Sequence, residues 1–386
     1  MPQRPSEIDS KNISASGLRQ MNSICIIQPY IPNYRLPFFD RLRANLDDQG
    51  IQLTLAAGSP QGSQRYRRDA AGDGSYIPVR WTNLGPIHWS HSERLVRDYD
   101  AVIYPLIGTD PALNIALLPR RNSRRTKIGV WGHIGAYVNP PNPVDQAIET
   151  WQMRRADHVF AYTERGLEEA VSRGVNPDDV TAVQNTIDTE EIARASASIE
   201  GHDVAALLKK VGATPERTMA YIGALDSSKR VDLLADALEH IWAMDSSARV
   251  LLAGAGDQRR LLDRAIARGQ VLDMGYADAS MKALIGQASS LLLNPGRVGL
   301  NAVDALVLRL PILTVSTSRH APEVDYLTPG SNLFSTPDDP HEYAVQAMYI
   351  LKSMKRVKQA PYPTIDLMVS RFSAGIYELL RNRISE

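Results

Sequence analysis

Lys229 and Arg230 stand together in the run Tyr221-Ile222-Gly223-Ala224-Leu225-Asp226-Ser227-Ser228-Lys229-Arg230-Val231, where an apolar strand pattern passes through a polar turn into an amphipathic helix. A helix N-terminus already favours anions through its free N–H groups and its dipole. Cations there do nothing for the helix, so the pair reads either as a site for an anionic ligand or as solvated surface charge. A second strand–glycine–helix passage is Asn294-Pro295-Gly296-Arg297-Val298-Gly299-Leu300-Asn301-Ala302-Val303-Asp304. Gly296 and Gly299 let backbone N–H groups approach a diphosphate closely. Asp304 is a single carboxylate among apolar helix residues and needs a partner, either ligand hydroxyls or its own local backbone. In the first half, His133 lies in Trp131-Gly132-His133-Ile134-Gly135, at the C-terminal end of a predicted strand. Open α/β sheets bind ligands at that edge; a structural histidine is the other reading.

The remaining chemical signals are weak. No G-x-x-x-x-G-K-[ST] loop is present, which disfavours a P-loop nucleotide triphosphatase. Gly254-Ala255-Gly256 follows a predicted strand but lacks the third glycine of a dinucleotide fingerprint. His88-x-x-His91 has no accompanying Glu, and Asp98-Tyr99-Asp100 directly precedes a strand, where an acidic pair commonly closes a loop. No metal site is predicted.

These residues need a scaffold, and the chain is long enough to supply one. Its 386 residues, 44% hydrophobic and 22% charged, imply two or three domains with cores of ordinary globular composition. Equal numbers of basic and acidic residues, 43 each, exclude the global basic field of a nucleic-acid coat. The balance is uneven along the chain: residues 1–137 hold 17 basic and 11 acidic residues, a surplus of +6 that the remainder offsets. Cys25 is the only cysteine, so no internal disulfide or thiolate zinc site can form. A cytoplasmic location is expected, with peripheral attachment to the inner membrane face as an extension of it. The segment 1–22 is polar without an apolar core and reads as a disordered tail rather than a secretory signal.

Short β-branched runs alternate with helical periodicity from Ser23 onward, predicting doubly wound α/β units. Strands are expected near 23–27, 51–56, 101–104, 127–131, 158–162 and 181–183. A second series is expected near 220–223, 250–253, 271–274, 291–294 and 311–315. The predicted division places one domain at 23–189, a second at 190–364 and a helix at 365–386. A polar helical stretch, 189–211, leads from the first series into the second.

Taken in order, several segments resemble retaining glycosyltransferases of family 4, with the GT-B fold. They are Pro29-Tyr30-Ile31-Pro32-Asn33-Tyr34-Arg35-Leu36-Pro37, Ala156–Glu164, Asn185-Thr186-Ile187-Asp188, Gly223–Leu234, Pro295–Ala305 and Pro322-Glu323-Val324. The resemblance implies two Rossmann-like domains facing across a cleft, with the C-terminal helix packing back on the first. It implies transfer of a sugar from a UDP- or GDP-linked donor to a glycan or lipid-linked acceptor, with retention and without a metal or other cofactor. It makes Lys229 the donor-phosphate lysine, Asp304 the ribose carboxylate and His133 the histidine near the reacting sugar. Arg230 or Arg297 would add charge at the diphosphate. The backbone at Gly223, Gly254, Gly275 and Tyr276, and that of Gly296, Val298, Gly299 and Leu300, would line the donor, while Tyr34 and Arg35 would face it from the acceptor side. Two positions depart from the family pattern: Ala224 replaces an arginine, and Gly296 replaces the first acid of a Glu-x7-Glu pair. A catalytically silent partner protein and a sugar-nucleotide 2-epimerase are the rival readings. Arg65–Arg68 and the Ile115–Lys127 segment combine basic and apolar residues, which suits either an anionic membrane surface or a solvated loop.

Overall fold

The computed structural model describes residues 22–62, 70, 72, 76–118, 126–135, 143–353 and 356–381. Its first half runs β1 (Asn22–Gln28), α1 (Leu36–Asp47), β2 (Ile51–Ala57), β3 (Ile77–Pro78), a hairpin of β4 (Thr82–Leu84) and β5 (Ile87–Trp89), α2 (Leu95–Asp98), β6 (Ala101–Pro105), α3 (Pro111–Ala116), β7 (Lys127–Gly132), α4 (Pro143–Arg155), β8 (His158–Ala161), α5 (Glu164–Ser172) and β9 (Val180–Ala182). Its strands, the hairpin excepted, form a seven-stranded sheet in the order β3-β2-β1-β6-β7-β8-β9, every pair parallel. Parallel strands need covering on both faces, and β1 shows how the sequence meets that need. Ile24 and Ile26 enter one apolar cluster, Cys25 and Ile27 the cluster on the opposite face.

The second half runs α6 (Thr189–Ser198), α7 (Gly201–Val211), β10 (Thr218–Ile222), α8 (Val231–Met244), β11 (Arg249–Ala253), α9 (Asp263–Ala267), β12 (Val271–Asp273), α10 (Ala279–Ala288), β13 (Leu291–Leu293), α11 (Asn301–Leu308), β14 (Ile312–Val315), β15 (Leu333–Thr336) and α12 (Pro340–Ser353). Six parallel strands order as β12-β11-β10-β13-β14-β15. Met219 and Tyr221 of β10 face one core, Ala220 and Ile222 the other. The last helix, α13 (Ile365–Leu380), returns to the first lobe. There Phe372 stacks on Phe160 at 4.5 Å and meets Trp131 and Phe38 edge-on at 4.9 and 5.4 Å.

The architecture is the expected pair of doubly wound α/β domains, with local differences. The helical stretch 189–211 is divided into two helices, because Glu200 caps α7 in a reciprocal capping box with Asp203. β3, β15 and the β4–β5 hairpin have runs of two to four residues, too short for periodicity to register. Asn22, placed in the tail by sequence, opens β1. The rest of that tail, Arg65–Arg68, residues 119–125 of the second basic segment and the end of the last helix beyond 381 lie outside the described residues. Among the described residues no helix is long and apolar enough to cross a membrane.

Candidate active site

In each sheet the strand order reverses beside one strand: β1 lies between β2 and β6, and β10 between β11 and β13. Connections leave such a strand toward opposite faces, which opens a crevice at its C-terminal edge. The turn carrying Lys229 follows β10, the loop Asn294–Leu300 follows β13, and Tyr34 and Arg35 follow β1. Loops from both lobes line one cavity of about 420 Å³. Of the sequence-predicted residues, Gly223, Lys229, Gly254, Tyr276, Arg297, Gly299, Leu300 and Asp304 line it from the second lobe. Tyr34, Arg35 and His133 line it from the first.

The second-lobe wall is a tight polar network. Lys229 closes a 3-10 turn, Ser227–Lys229, that Asp226 caps through the Ser228 N–H. Its Nζ donates to Asn301 Oδ1 at 3.1 Å, to Asn294 Oδ1 at 3.4 Å and to the Arg297 carbonyl. Asn301, the first residue of α11, also donates to the Ile222 carbonyl at 2.9 Å, tying the lysine to the end of β10. Gly254 permits this closeness: a Cβ there would lie 1.8 Å from the Gly223 carbonyl oxygen, at a φ of +156°. One turn further along α11, Asp304 is buried and ion-paired with Lys282 of α10 at 2.9 Å. The carboxylate that looked unpartnered in sequence thus has a cation supplied by a distant helix. Tyr276 stands at the cavity wall 70% exposed, an open aromatic face.

Four predicted residues are not brought to the cavity. Arg230 adopts the left-handed conformation, φ 53°, and pairs with Asp338 at 2.8 Å and Asp232 at 3.1 Å. Val298 is fully buried against α11, and its N–H donates to His320 Nδ1 at 3.2 Å. The Gly275 carbonyl accepts the Gly254 N–H at 2.8 Å, so its role is to hold that loop. Gly296 packs against the Lys229 turn, where a Cβ would fall 2.3 Å from the Lys229 carbonyl carbon. No side chain fits at position 296 with the loop in this course, which accounts for the missing first acid.

The first-lobe wall is aromatic. The buried Arg35 guanidinium lies 4.6 Å from the centre of the Trp131 ring and donates to Tyr162 Oη at 3.0 Å and Asn185 Oδ1 at 3.2 Å. His133 meets Tyr162 edge-on at 4.7 Å. Burial, reinforced by the charges of Arg35 and Arg297, lowers its pKa to about 4. Across the lobes, burial and the Lys229 charge lower His320 to about 4 as well. Both imidazoles are therefore neutral near pH 7, each with one donor and one acceptor nitrogen. The weak metal candidates are engaged elsewhere: His91 bonds Thr82 at 2.9 Å, His88 bonds Asn83 at 2.8 Å, and Asp100 accepts the Ser23 N–H at 2.8 Å. Among the described residues no group of three or more His, Cys, Asp or Glu side chains is placed to hold a metal.

Sequence reasoning missed Asn185, Lys282, Asn301 and Glu323 as cavity residues. Asn301 had a signal, a polar residue beside a glycine loop, and Glu323 lies in the Pro322-Glu323-Val324 segment that carries part of the resemblance. Lys282 had none, because an exposed-looking lysine on a helix carries no mark of its distant partner.

Residues 38–191 match a family model described as Glycosyltransferase Family 4, and residues 216–353 match one described as Glycosyl transferases group 1. The two matches fall one on each lobe and together span most of the chain. The chain is a family 4-like glycosyltransferase with the GT-B fold. This glycosyltransferase shares its fold with a glycosyltransferase from Rickettsia africae, at TM-score 0.63 and 11% identity over 94% of this chain and 99% of that one. It is also similar to Anabaena HepE in complex with UDP-glucose, at TM-score 0.56 and 15% identity over 92% and 95% of the two chains. A Methanocaldococcus jannaschii UDP-GlcNAc 2-epimerase in complex with UDP-GlcNAc and UDP superposes at TM-score 0.61 and 13% identity, over 92% and 100%. Comparison of the sequence with curated proteins yields no match. With a glycosyltransferase match on each lobe, the protein is a nucleotide-sugar-dependent glycosyltransferase.

Proposed function

We propose that the enzyme transfers a hexose from a UDP-sugar to a lipid-linked or glycan acceptor with retention of anomeric configuration, using no metal or other cofactor. The observation that carries this reading is the single cavity in which Lys229, Arg297 and the Gly299 loop face His133 from the opposite lobe. As the bond from the anomeric carbon to the β-phosphate breaks, its electron pair passes to the phosphate oxygen. Preorganised cations and N–H groups at that oxygen are the main catalytic lever. Lys229 and Arg297 supply the charge, and the acceptor hydroxyl bonds the anomeric carbon as its proton passes to the departing β-phosphate oxygen. A neutral His133 suits the sugar side, since an imidazolium there would oppose the positive charge that develops on the ring. UDP is favoured over GDP because Anabaena HepE and the Methanocaldococcus jannaschii epimerase are complexes with UDP-sugars.

Exposed apolar side chains support a membrane-borne acceptor: Leu84 and Ile87 on the hairpin, Ile115 and Leu118 on and after α3, and Val144 on α4. The chain continues from Leu118 into Arg120, Arg121, Arg124 and Arg125, a composition suited to an anionic lipid surface. Calorimetric titration with UDP and GDP tests the donor, and sedimentation with anionic vesicles tests the surface. If neither nucleotide binds, the donor reading is wrong. The anomeric proton coupling of the product distinguishes retention from inversion, and a freed sugar epimerised at C2 would turn the assignment to the epimerase reaction.

A further inference from the structure

Two carboxyls are among the described residues that line the cavity, and their partners belong to different lobes. Asp304 is neutralised within the second lobe by Lys282. Glu323 comes from the 3-10 turn Pro322–Tyr326, and its Oε1 accepts the Asn185 amide of the first lobe. Asn185 in turn accepts from Arg35, so a relay Arg35–Asn185–Glu323 fixes the carboxyl in a buried position. Burial pushes Glu323 above the usual carboxylate range, against the pull of the Asn185 amide and the Arg35 charge. A fixed carboxyl and a neutral imidazole together offer donors and acceptors matched to hydroxyl groups. With the nucleotide and diphosphate on second-lobe residues, the sugar is the part of a donor left to meet this wall.

Resting on the donor reading above, we propose that Glu323, held by Asn185 and joined by His133, forms the subsite that reads the hydroxyl groups of the donor sugar. The same turn also knits the lobes together. Asp325 accepts from Thr163 at 3.0 Å and pairs with Arg165 at 3.7 Å, while Tyr326 donates to the Tyr162 and Asn185 carbonyls at 3.3 and 3.2 Å. A purely structural Glu323 would be one more element of that clamp.

The experiment measures dissociation constants for UDP, UDP-glucose, UDP-galactose, UDP-N-acetylglucosamine, GDP and GDP-mannose with wild type, Glu323→Gln, Glu323→Asp and Asp325→Asn. The quantity read is the ratio of nucleotide-sugar to nucleotide affinity. Glu323→Gln should leave nucleotide affinity within about 2-fold and change that ratio about 10-fold, the size of one hydrogen bond to a charged or polar partner. Glu323→Asp, which keeps the acid but shortens its reach, should change the order of preference among the sugars. Asp325→Asn should weaken the clamp with the ratio unchanged. An unchanged ratio in both Glu323 variants, or an equal change in Asp325→Asn, overturns the subsite while leaving the donor site standing. Failure of every nucleotide to bind wild type overturns the donor reading and the subsite with it.

Discussion

The two walls of the cleft solve different problems with the same kind of loop. Each follows a strand at which the sheet order reverses, yet the second-lobe wall is a network of short polar links and the first-lobe wall is a cage of rings. Lys229 is held by Asn294, Asn301 and a backbone carbonyl from its own lobe. Arg35 is held by Trp131, Tyr162 and Asn185, brought together by folding across much of the first lobe. The difference teaches that the charge proposed to meet a diphosphate is positioned locally, by glycine turns that let backbone approach backbone. The face proposed to meet the reacting sugar is positioned by tertiary packing. Changes to the two walls should therefore have separable consequences.

The largest effect is expected at Lys229. Lys229→Gln removes the charge proposed to act at the leaving phosphate but can keep a hydrogen bond to Asn301. Loss of a preorganised group of this kind lowers turnover by about 10²–10³-fold. Steady-state transfer kinetics, with circular dichroism as a check on folding, measure it. A loss under 5-fold would mean that the second-lobe network is structural only. Asp304→Asn comes next. It leaves Lys282 with a neutral partner, and if Asp304 also holds ribose hydroxyls, nucleotide affinity should fall by about 10-fold, as for a charge-assisted hydrogen bond. Titration with UDP measures that loss, and affinity equal to wild type would confine Asp304 to its pairing with Lys282.

This contrast also explains what could be read before folding. Gly223, Lys229, Gly299 and Asp304 were visible because strand, glycine and helix signals lie within a few residues of one another. The GT-B architecture was visible for the same reason, since most strands of the two sheets are short apolar runs followed by a helical period. Lys282 and Asn185 were not, because their roles exist only once α10 meets α11 and the lobes meet each other. Arg35 lines the cleft, but its burial against Trp131 depends on contacts that no local pattern records. Adjacent residues can mislead equally: Lys229 and Arg230 have the same charge, and only the backbone conformation separates their fates.

The neutral histidines give a smaller effect that involves both walls. His133 and His320 each have a folded pKa of about 4, below the ordinary value of 6.5. Between those values the unfolded chain binds more protons than the folded one, so their contribution to stability is whole above about pH 6.5 and is lost as pH falls toward 4. Their share of the change in melting temperature between pH 7 and pH 5 should be a fall of about 3–6 °C, opposed by Glu149, whose pKa burial raises to about 7. A His133→Asn, His320→Asn double variant should flatten that slope. A slope unchanged in the double variant would place the acid sensitivity elsewhere.

Arg230→Ala is expected to do least, and that makes it the sharpest test of the comparison. Arg230 is one residue from Lys229 and carries the same charge, so any long-range electrostatic account of donor binding would weight the two nearly alike. The structure turns Arg230 away, into ion pairs with Asp232 and Asp338 at the surface. Surface pairs of this type contribute about 0–1 kcal/mol, so Arg230→Ala should change turnover by less than about 3-fold and stability only slightly. A loss comparable to that of Lys229→Gln would mean that Arg230 abandons Asp338 and swings into the cleft when donor binds. The second-lobe wall would then be assembled by its ligand rather than built in advance. Measured side by side at low and high salt, the two variants separate these cases, because a charge acting at a distance is screened much more than a direct contact is.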